Sequence, residues 1–205
     1  MLFYNSVGPN PRVVRLFMAE RGISDIPTET VDIRAGVNRQ AAFLAVNPSG
    51  QCPALAMDNG TVLAEITAIC EYLDEVGPAG KTLIGATPEE RAETRMWVRR
   101  IDLNIVEPMG AGFRFSDGLK MFENRIHCIP QAADDFKAIA QEKLTWLDGL
   151  IAGRTFVCGD RITLADVLLF CFVDFGTMVK QPLNPANTNI AAWYDRMKAR
   201  PSAAA

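Results

Sequence analysis

From Leu164 to Val173 the chain is apolar on nearly every side of a helix, and this segment constrains the fold more than any other. A helix without a polar stripe has no face to offer water, so it has to stand at the centre of a bundle with other helices around it. Its apolar run, Val167 to Val173, is far too short to cross a bilayer. Just ahead of it, Gly159-Asp160-Arg161-Ile162-Thr163-Leu164-Ala165-Asp166 supplies a start signal. Thr163 is placed to cap the helix, and Asp166 to answer the N–H of the cap residue. The surrounding helices are readable too. Thr87 can cap a long helix carrying Met96, Trp97, Ile101 and Ile105. Another is predicted from about Leu119 to Leu150, bent by Pro130, with Phe136, Ala140, Leu144, Leu147 and Ile151 facing inward. Ile190, Trp193, Tyr194 and Met197 mark a final amphipathic helix.

The first part of the chain has a different period. Leu2-Phe3-Tyr4 is a short β-prone run ending in a turn-rich segment, Asn5 to Pro11. A helix follows, with Val13, Leu16 and Phe17 at helical spacing and Gly22 as its stop. Thr28 to Ile33 alternates like a strand, and Gly36 to Val46 reads as a loop with a short helix in it. Pro53 to Met57 and Thr61 to Leu63 flank Asp58-Asn59-Gly60, a good hairpin turn because Asn and Gly tolerate positive φ. Ile66, Ile69, Cys70 and Leu73 then form one apolar helix face. The order is β-α-β-α-β-β-α, a mixed sheet with helices, closing near Val76. Gly77-Pro78-Ala79-Gly80 and Pro88 punctuate a change of composition. The expected organisation is an α/β domain over 1–76, a linker over 77–86 and an all-α domain over 87–205.

Charge and cysteine usage narrow the function classes. A net charge of −3 with scattered Lys and Arg gives no basic stripe, which argues against nucleic acid as a partner. The N-terminus lacks a basic region followed by an apolar core and a cleavage site, so no signal peptide is evident. Cys52, Cys70, Cys128, Cys158 and Cys171 are odd in number, widely spaced and without a C-x-x-C pair. That pattern suggests a reduced compartment with no disulfide framework and no metal site, so a soluble cytoplasmic protein is expected.

Two segments carry chemistry. Asn47-Pro48-Ser49-Gly50-Gln51-Cys52-Pro53-Ala54-Leu55 runs from a helix end through a turn into a Pro-led strand. Pro53 has no N–H and suits a sheet edge, where neighbouring backbone groups stay free to pair with an extended peptide. A plain connecting loop is the alternative. In Leu63-Ala64-Glu65-Ile66-Thr67-Ala68-Ile69 a strand gives way to a helix, whose free N–H groups suit a carboxylate. Glu65 beside them can accept from an ammonium group, so the pair suits an α-amino acid head. Alternatively Glu65 is only a favourable first-turn acid.

Together these segments resemble the soluble glutathione transferases, and the resemblance covers nearly the whole chain. The N-P-x-G-x-x-P-x-L segment of that family stands here as Asn47 to Leu55. Its acidic residue and A-I-x-x-Y-L helix stand as Glu65, Ala68, Ile69, Tyr72 and Leu73, and its G-D-x-x-[ST]-x-A-D box as Gly159 to Asp166. The start from Gly8 to Arg15 looks most like a bacterial and fungal subgroup. The resemblance implies a thioredoxin-like N-terminal domain, a helical C-terminal domain, a homodimer pairing the α/β domain of one chain with the bundle of the other, and glutathione as co-substrate. It also implies a cis Cys52–Pro53 bond, with the Cys52 backbone pairing with the cysteinyl part of glutathione. Gln51 would reach the glycine end, with Arg39 or Gln40 helping to hold its carboxylate. Glu65 and the next residue would hold the γ-glutamyl head. That next residue is usually Ser and here is Ile66, so a hydroxyl contact has to come from Thr67.

A free thiol has a pKa near ~8.5, and lowering it by about two units takes roughly 2.7 kcal/mol of preferential stabilisation. Members of the family supply this near the end of the first strand, where Tyr4, Ser6 and Asn10 are the candidates here. Ser6, exposed by its turn setting, ranks first, and Tyr4 reads equally well as a packed aromatic. Failing these, a water anchored by Arg114 or Ser116 would serve. Met109 and Phe113, with Phe115 and Phe122, flank an expected Gly-rich break at Gly110 and Gly112, as walls of an apolar substrate pocket or as core. Trp97, Trp146 and Trp193 read as core or interface, and His127 as packed or solvent-facing. The expected function is attack of an ionised glutathione thiol on a small apolar electrophile. A non-catalytic binding module on the same fold and a glutathione-dependent thiol-disulfide reductase are the alternatives.

Overall fold

The computed structural model describes residues 1–205. They divide into two compact units, Met1–Ile84 with Pro201–Ala205, and Gly85–Arg200.

In the first unit the order is β1 (Leu2–Asn5), α1 (Pro9–Arg21), β2 (Thr28–Thr30), α2 (Ala41–Val46), β3 (Ala54–Ala56), β4 (Val62–Leu63) and α3 (Ile66–Val76). The sheet runs β2-β1-β3-β4, with β1 parallel to β2 and antiparallel to β3, and β3 antiparallel to β4. It is therefore mixed, with helices on it, as the alternation of periods predicts. Phe3, Val13, Val14, Phe17, Leu55 and Ile69 are all closed to solvent and make its core. Each such side chain contributes about 1.5–3 kcal/mol. β2 is shorter than the predicted Thr28–Ile33 run. Asp32 Oδ1 accepts from the N–H groups of Arg34 (2.9 Å) and Ala35 (3.0 Å), which turns the chain and ends the strand. The last residues, assigned by sequence to the helical region, belong with this unit. Ser202 donates to the Glu20 carboxylate, and the Arg12 guanidinium reaches the carbonyls of Ala203 (2.9 Å) and Ala205 (3.3 Å).

The second unit is helical: α4 (Pro88–Ile101), α5 (Glu107–Arg114), α6 (Leu119–Phe122), α7 (Ala133–Leu150), α8 (Leu164–Met178) and α9 (Thr188–Lys198). The Thr87 hydroxyl caps α4 by accepting from Glu90 N–H (3.2 Å). Two sequence expectations fail here. No break occurs at Gly110 and Gly112: both lie inside α5, which a π-helical segment, Asp102–Val106, joins to α4. Gly112 instead allows close packing, since a Cβ there would lie 2.8 Å from Lys137 Cγ of α7. Nor is there one bent helix from Leu119 to Leu150, for α6 ends at Phe122 and α7 begins only at Ala133. Of the apolar residues carried from α4 onward, Trp97, Ile101 and Ile105 are buried and Met96 is 41% exposed. By contrast α8 is buried at every position from Leu164 to Val173, the central place its composition demands.

Candidate functional site

Strand register brings the sequence-predicted segments of the first unit to one end of its sheet. The β3–β4 ladder pairs Ala56 with Val62 and Leu55 with Leu63. Continued, it would set Pro53 opposite Glu65, but β4 has already ended. On the other side the β1–β3 ladder stops at Tyr4 with Ala54, and continuing it would set Ser6 opposite Cys52. The start of α1, the Cys52–Pro53 pair and the start of α3 therefore share one end. The Cys52–Pro53 bond is cis. Contrary to the sequence reading, Pro53 does not open an edge strand, because β3 lies between β1 and β4. The backbone is free for another reason: β4 is too short to cover the beginning of β3. The N–H and C=O of Cys52 make no hydrogen bond within the chain.

The turn before Cys52 is held firmly. Asn47 Nδ2 donates to Gln51 O (2.8 Å), and Asn47 Oδ1 accepts from the Ser49 N–H (3.2 Å) and hydroxyl (2.9 Å). Gly50, at φ 62°, is required, since a Cβ there would meet Asn38 O and Arg39 Nη1 at 2.9 Å. Asn38, which sequence reasoning missed, is buried and donates from Nδ2 to Gly50 O (2.6 Å). An Asn inside a short turn leaves no periodic signal. Arg39, Gln40 and Gln51 are exposed beside this turn, and Arg39 Nη1 touches Ser49 O at 3.3 Å.

Glu65 stands at the N-cap of α3 with φ 66° and ψ 121°, a backbone conformation costing about 1–3 kcal/mol in a residue other than Gly. Its side chain is exposed and does not cap the helix. Ile69 N–H is bonded to Glu65 O, so the N–H groups of Ile66, Thr67 and Ala68 are the open ones of the first turn. The Thr67 hydroxyl is half-buried and makes no hydrogen bond within the chain. Donors of this kind beside an exposed carboxylate suit a zwitterionic head group.

The three candidates for stabilising a thiolate separate clearly. Ser6 is not exposed: it is 4% accessible, and its hydroxyl donates to Val31 O at 2.7 Å. Parallel pairing of β1 with β2 puts that carbonyl over it, which the turn-rich sequence hides. Tyr4 packs edge-on against Phe43, with ring centroids 5.8 Å apart. Asn10 is exposed in the first turn of α1, with no hydrogen bond to its side chain. Pro9 and Pro11 on either side carry no N–H, so among the first three residues of α1 the donors come from Asn10. Arg15, also missed, braces the turn by donating to Asn5 Oδ1 (2.7 Å) and Ser6 O (3.2 Å). Burial pushes the Cys52 thiol up to about 11, the opposite of an activated nucleophile.

The predicted substrate-pocket residues lie in the helical unit. Met109 is 0% accessible and packs at the position of Gly176 on α8, so it is core rather than pocket wall. Phe113 joins an aromatic cluster with Phe122 (6.2 Å) and Phe175 (5.3 Å). Arg114 is paired with Glu107, and the Ser116 hydroxyl donates to Gly112 O (2.6 Å). Thr163 and Asp166 form the capping box of α8. Asp166 Oδ2 accepts from the Thr163 N–H (2.9 Å) and hydroxyl (3.1 Å), while Oδ1 accepts from Val157 N–H (2.8 Å) and the Trp193 indole (2.9 Å).

Comparison with known proteins agrees with the fold of the two units. The family model described as "Glutathione S-transferase, N-terminal domain" matches residues 7–76, and "Glutathione S-transferase, C-terminal domain" matches 130–201. Glutathione S-transferase 2 of Saccharomyces cerevisiae is 31% identical over 209 residues, covering 98% of this chain and 87% of that protein. A glutathione S-transferase domain-containing protein of Marinobacter aquaeolei VT8 has a crystal structure that superposes with a TM-score of 0.92. It is 34% identical, over 98% of this chain and 99% of the other. Elongation factor 1-gamma of Danio rerio is 32% identical over 161 residues, 77% of this chain but 34% of that longer protein.

Proposed function

Because the chain belongs to the glutathione S-transferase family, we propose that it binds glutathione at the open end of its sheet and transfers it to an electrophilic substrate. The observation that carries this reading is the uncovered start of β3, set by register beside the strained Glu65 and the open N–H groups of α3. A γ-glutamyl head would meet Glu65 and the N–H groups of Ile66 and Thr67. The cysteinyl unit would add to Cys52 as a short antiparallel strand, and the glycine carboxylate would lie towards Gln51, Arg39 and Gln40. Held there, the thiol is ionised by donors at the start of α1, and its thiolate attacks an electrophilic carbon or sulfur of a small apolar molecule. Among the candidates we favour Asn10, because the Ser6 hydroxyl is committed to Val31 and Tyr4 is packed. Two copies pair in this reading, for which exposed Met96 and Leu103 provide an apolar strip, and the setting is the cytoplasm.

Titrating the ultraviolet thiolate absorbance of bound glutathione tests the reading. A thiol pKa well below ~8.5 is expected, returning towards that value in Asn10→Ala and staying low in Ser6→Ala. Binding with an unshifted thiol would favour the second reading, a non-catalytic module, which the likeness to elongation factor 1-gamma keeps in view. The reductase reading has less support, given the raised Cys52 thiol.

A further inference from the structure

The helical unit holds a group of arginines for which glutathione chemistry has no use. We propose that Arg100 and Arg154, which share the Trp97 ring, and Arg196, tied to the loop that carries Arg154, form a second binding site, one for a phosphate-class oxyanion. Arg100 Cζ lies 4.9 Å and Arg154 Cζ 5.4 Å from the centroid of the Trp97 ring, so two cations share one aromatic ring. Arg154 Nη1 donates to Val157 O (2.9 Å). Arg196 joins them through the same loop, donating from Nε to Thr155 O (3.2 Å) and from Nη2 to Arg154 O (3.3 Å).

None of the three forms an ion pair with a carboxylate, whereas Arg161 nearby on the sequence of this loop meets Glu90 (3.5 Å) and Glu93 (3.3 Å). A chain with net charge −3 thus leaves these three cations without a carboxylate partner. A multivalent anion would supply the negative charge that the chain does not place beside them. The Arg100 guanidinium makes no hydrogen bond within the chain, and Arg154 spends only Nη1 on Val157 O, so both keep N–H groups for the oxygens of a phosphate. Trp97 is 4% exposed, and its buried indole N–H finds no acceptor in the chain.

Equilibrium dialysis of the full chain against labelled inorganic phosphate, and separately against labelled glycerol phosphate, at ionic strength held with sodium chloride, decides the matter. Saturable retention is expected, weakened at least about tenfold in Arg100→Gln and in Arg154→Gln, with part of it kept in Arg154→Lys. Retention of phosphate alone identifies the free ion, and tighter retention of the ester identifies a phosphate-bearing metabolite. Glutathione binding by the same variants is expected to be unchanged. No retained label, or retention unaffected by both Gln substitutions, overturns the proposal.

Discussion

Around Asp166, at the heart of the helical unit, four donors converge on one buried carboxylate, and no oxygen is left without a partner. At the open end of the sheet the Cys52 backbone, the first N–H groups of α3 and the Asn10 side chain have no partner in the chain, and Glu65 holds a costly backbone conformation. The first arrangement spends its polar groups on stability. The second withholds them, and the cost of Glu65 is accepted where a ligand can use it. Substitutions in the two regions should therefore separate stability from binding.

The largest effect is expected at Asp166. Asp166→Ala leaves the donors of Val157, Thr163 and Trp193 without an acceptor and removes half of the capping box, costing on the order of 4 kcal/mol. Chemical denaturation should read this as a much lower midpoint, and a change below about 1 kcal/mol would erase the contrast between the regions. Next comes Glu65→Gly, which should act in opposite directions on the two properties. Relief of φ 66° should stabilise the chain by about 1 kcal/mol, while glutathione affinity, read by calorimetry, falls about tenfold or more. Loss of both properties together would mean that Glu65 belongs to the structural class. Ser6→Ala should cost about 1 kcal/mol by leaving Val31 O unpaired, with little change in the thiol pKa of bound glutathione. The smallest signal is the alkylation of Cys52, followed by peptide mass spectrometry. Its thiol sits near 11, so at pH 7 only about one part in ten thousand is thiolate. The rate should therefore still climb about tenfold per pH unit at pH 9, and a plateau near neutrality would revive the reductase reading.

What the sequence discloses depends on how local the cause is. The centre of α8, its Thr163–Asp166 box and the Asp58-Asn59-Gly60 turn are all legible, because each is settled within a few residues by apolar character, capping or positive φ. The failures come from distant partners. Gly110 and Gly112 look like a helix break until α7 is seen to pass against Gly112. Ser6 looks exposed until β2 brings the Val31 carbonyl to it. Met109 looks like a pocket wall until α8 closes over it at Gly176. At the candidate site the segments are legible and their juxtaposition is not, since only the β3–β4 register sets Pro53 opposite Glu65. Asn38 and Arg15, which brace the site's turns, show no pattern at all.

The central claim is that glutathione pairs with the uncovered start of β3, and a nuclear magnetic resonance titration of the isotope-labelled chain tests it most directly. Adding glutathione should shift the amide signal of Cys52 saturably, together with those of Ile66 and Thr67, and should leave Val157 and Thr163 beside Asp166 in place. Saturable shifts confined to other residues, or no shift at Cys52 at saturating glutathione, would contradict the account.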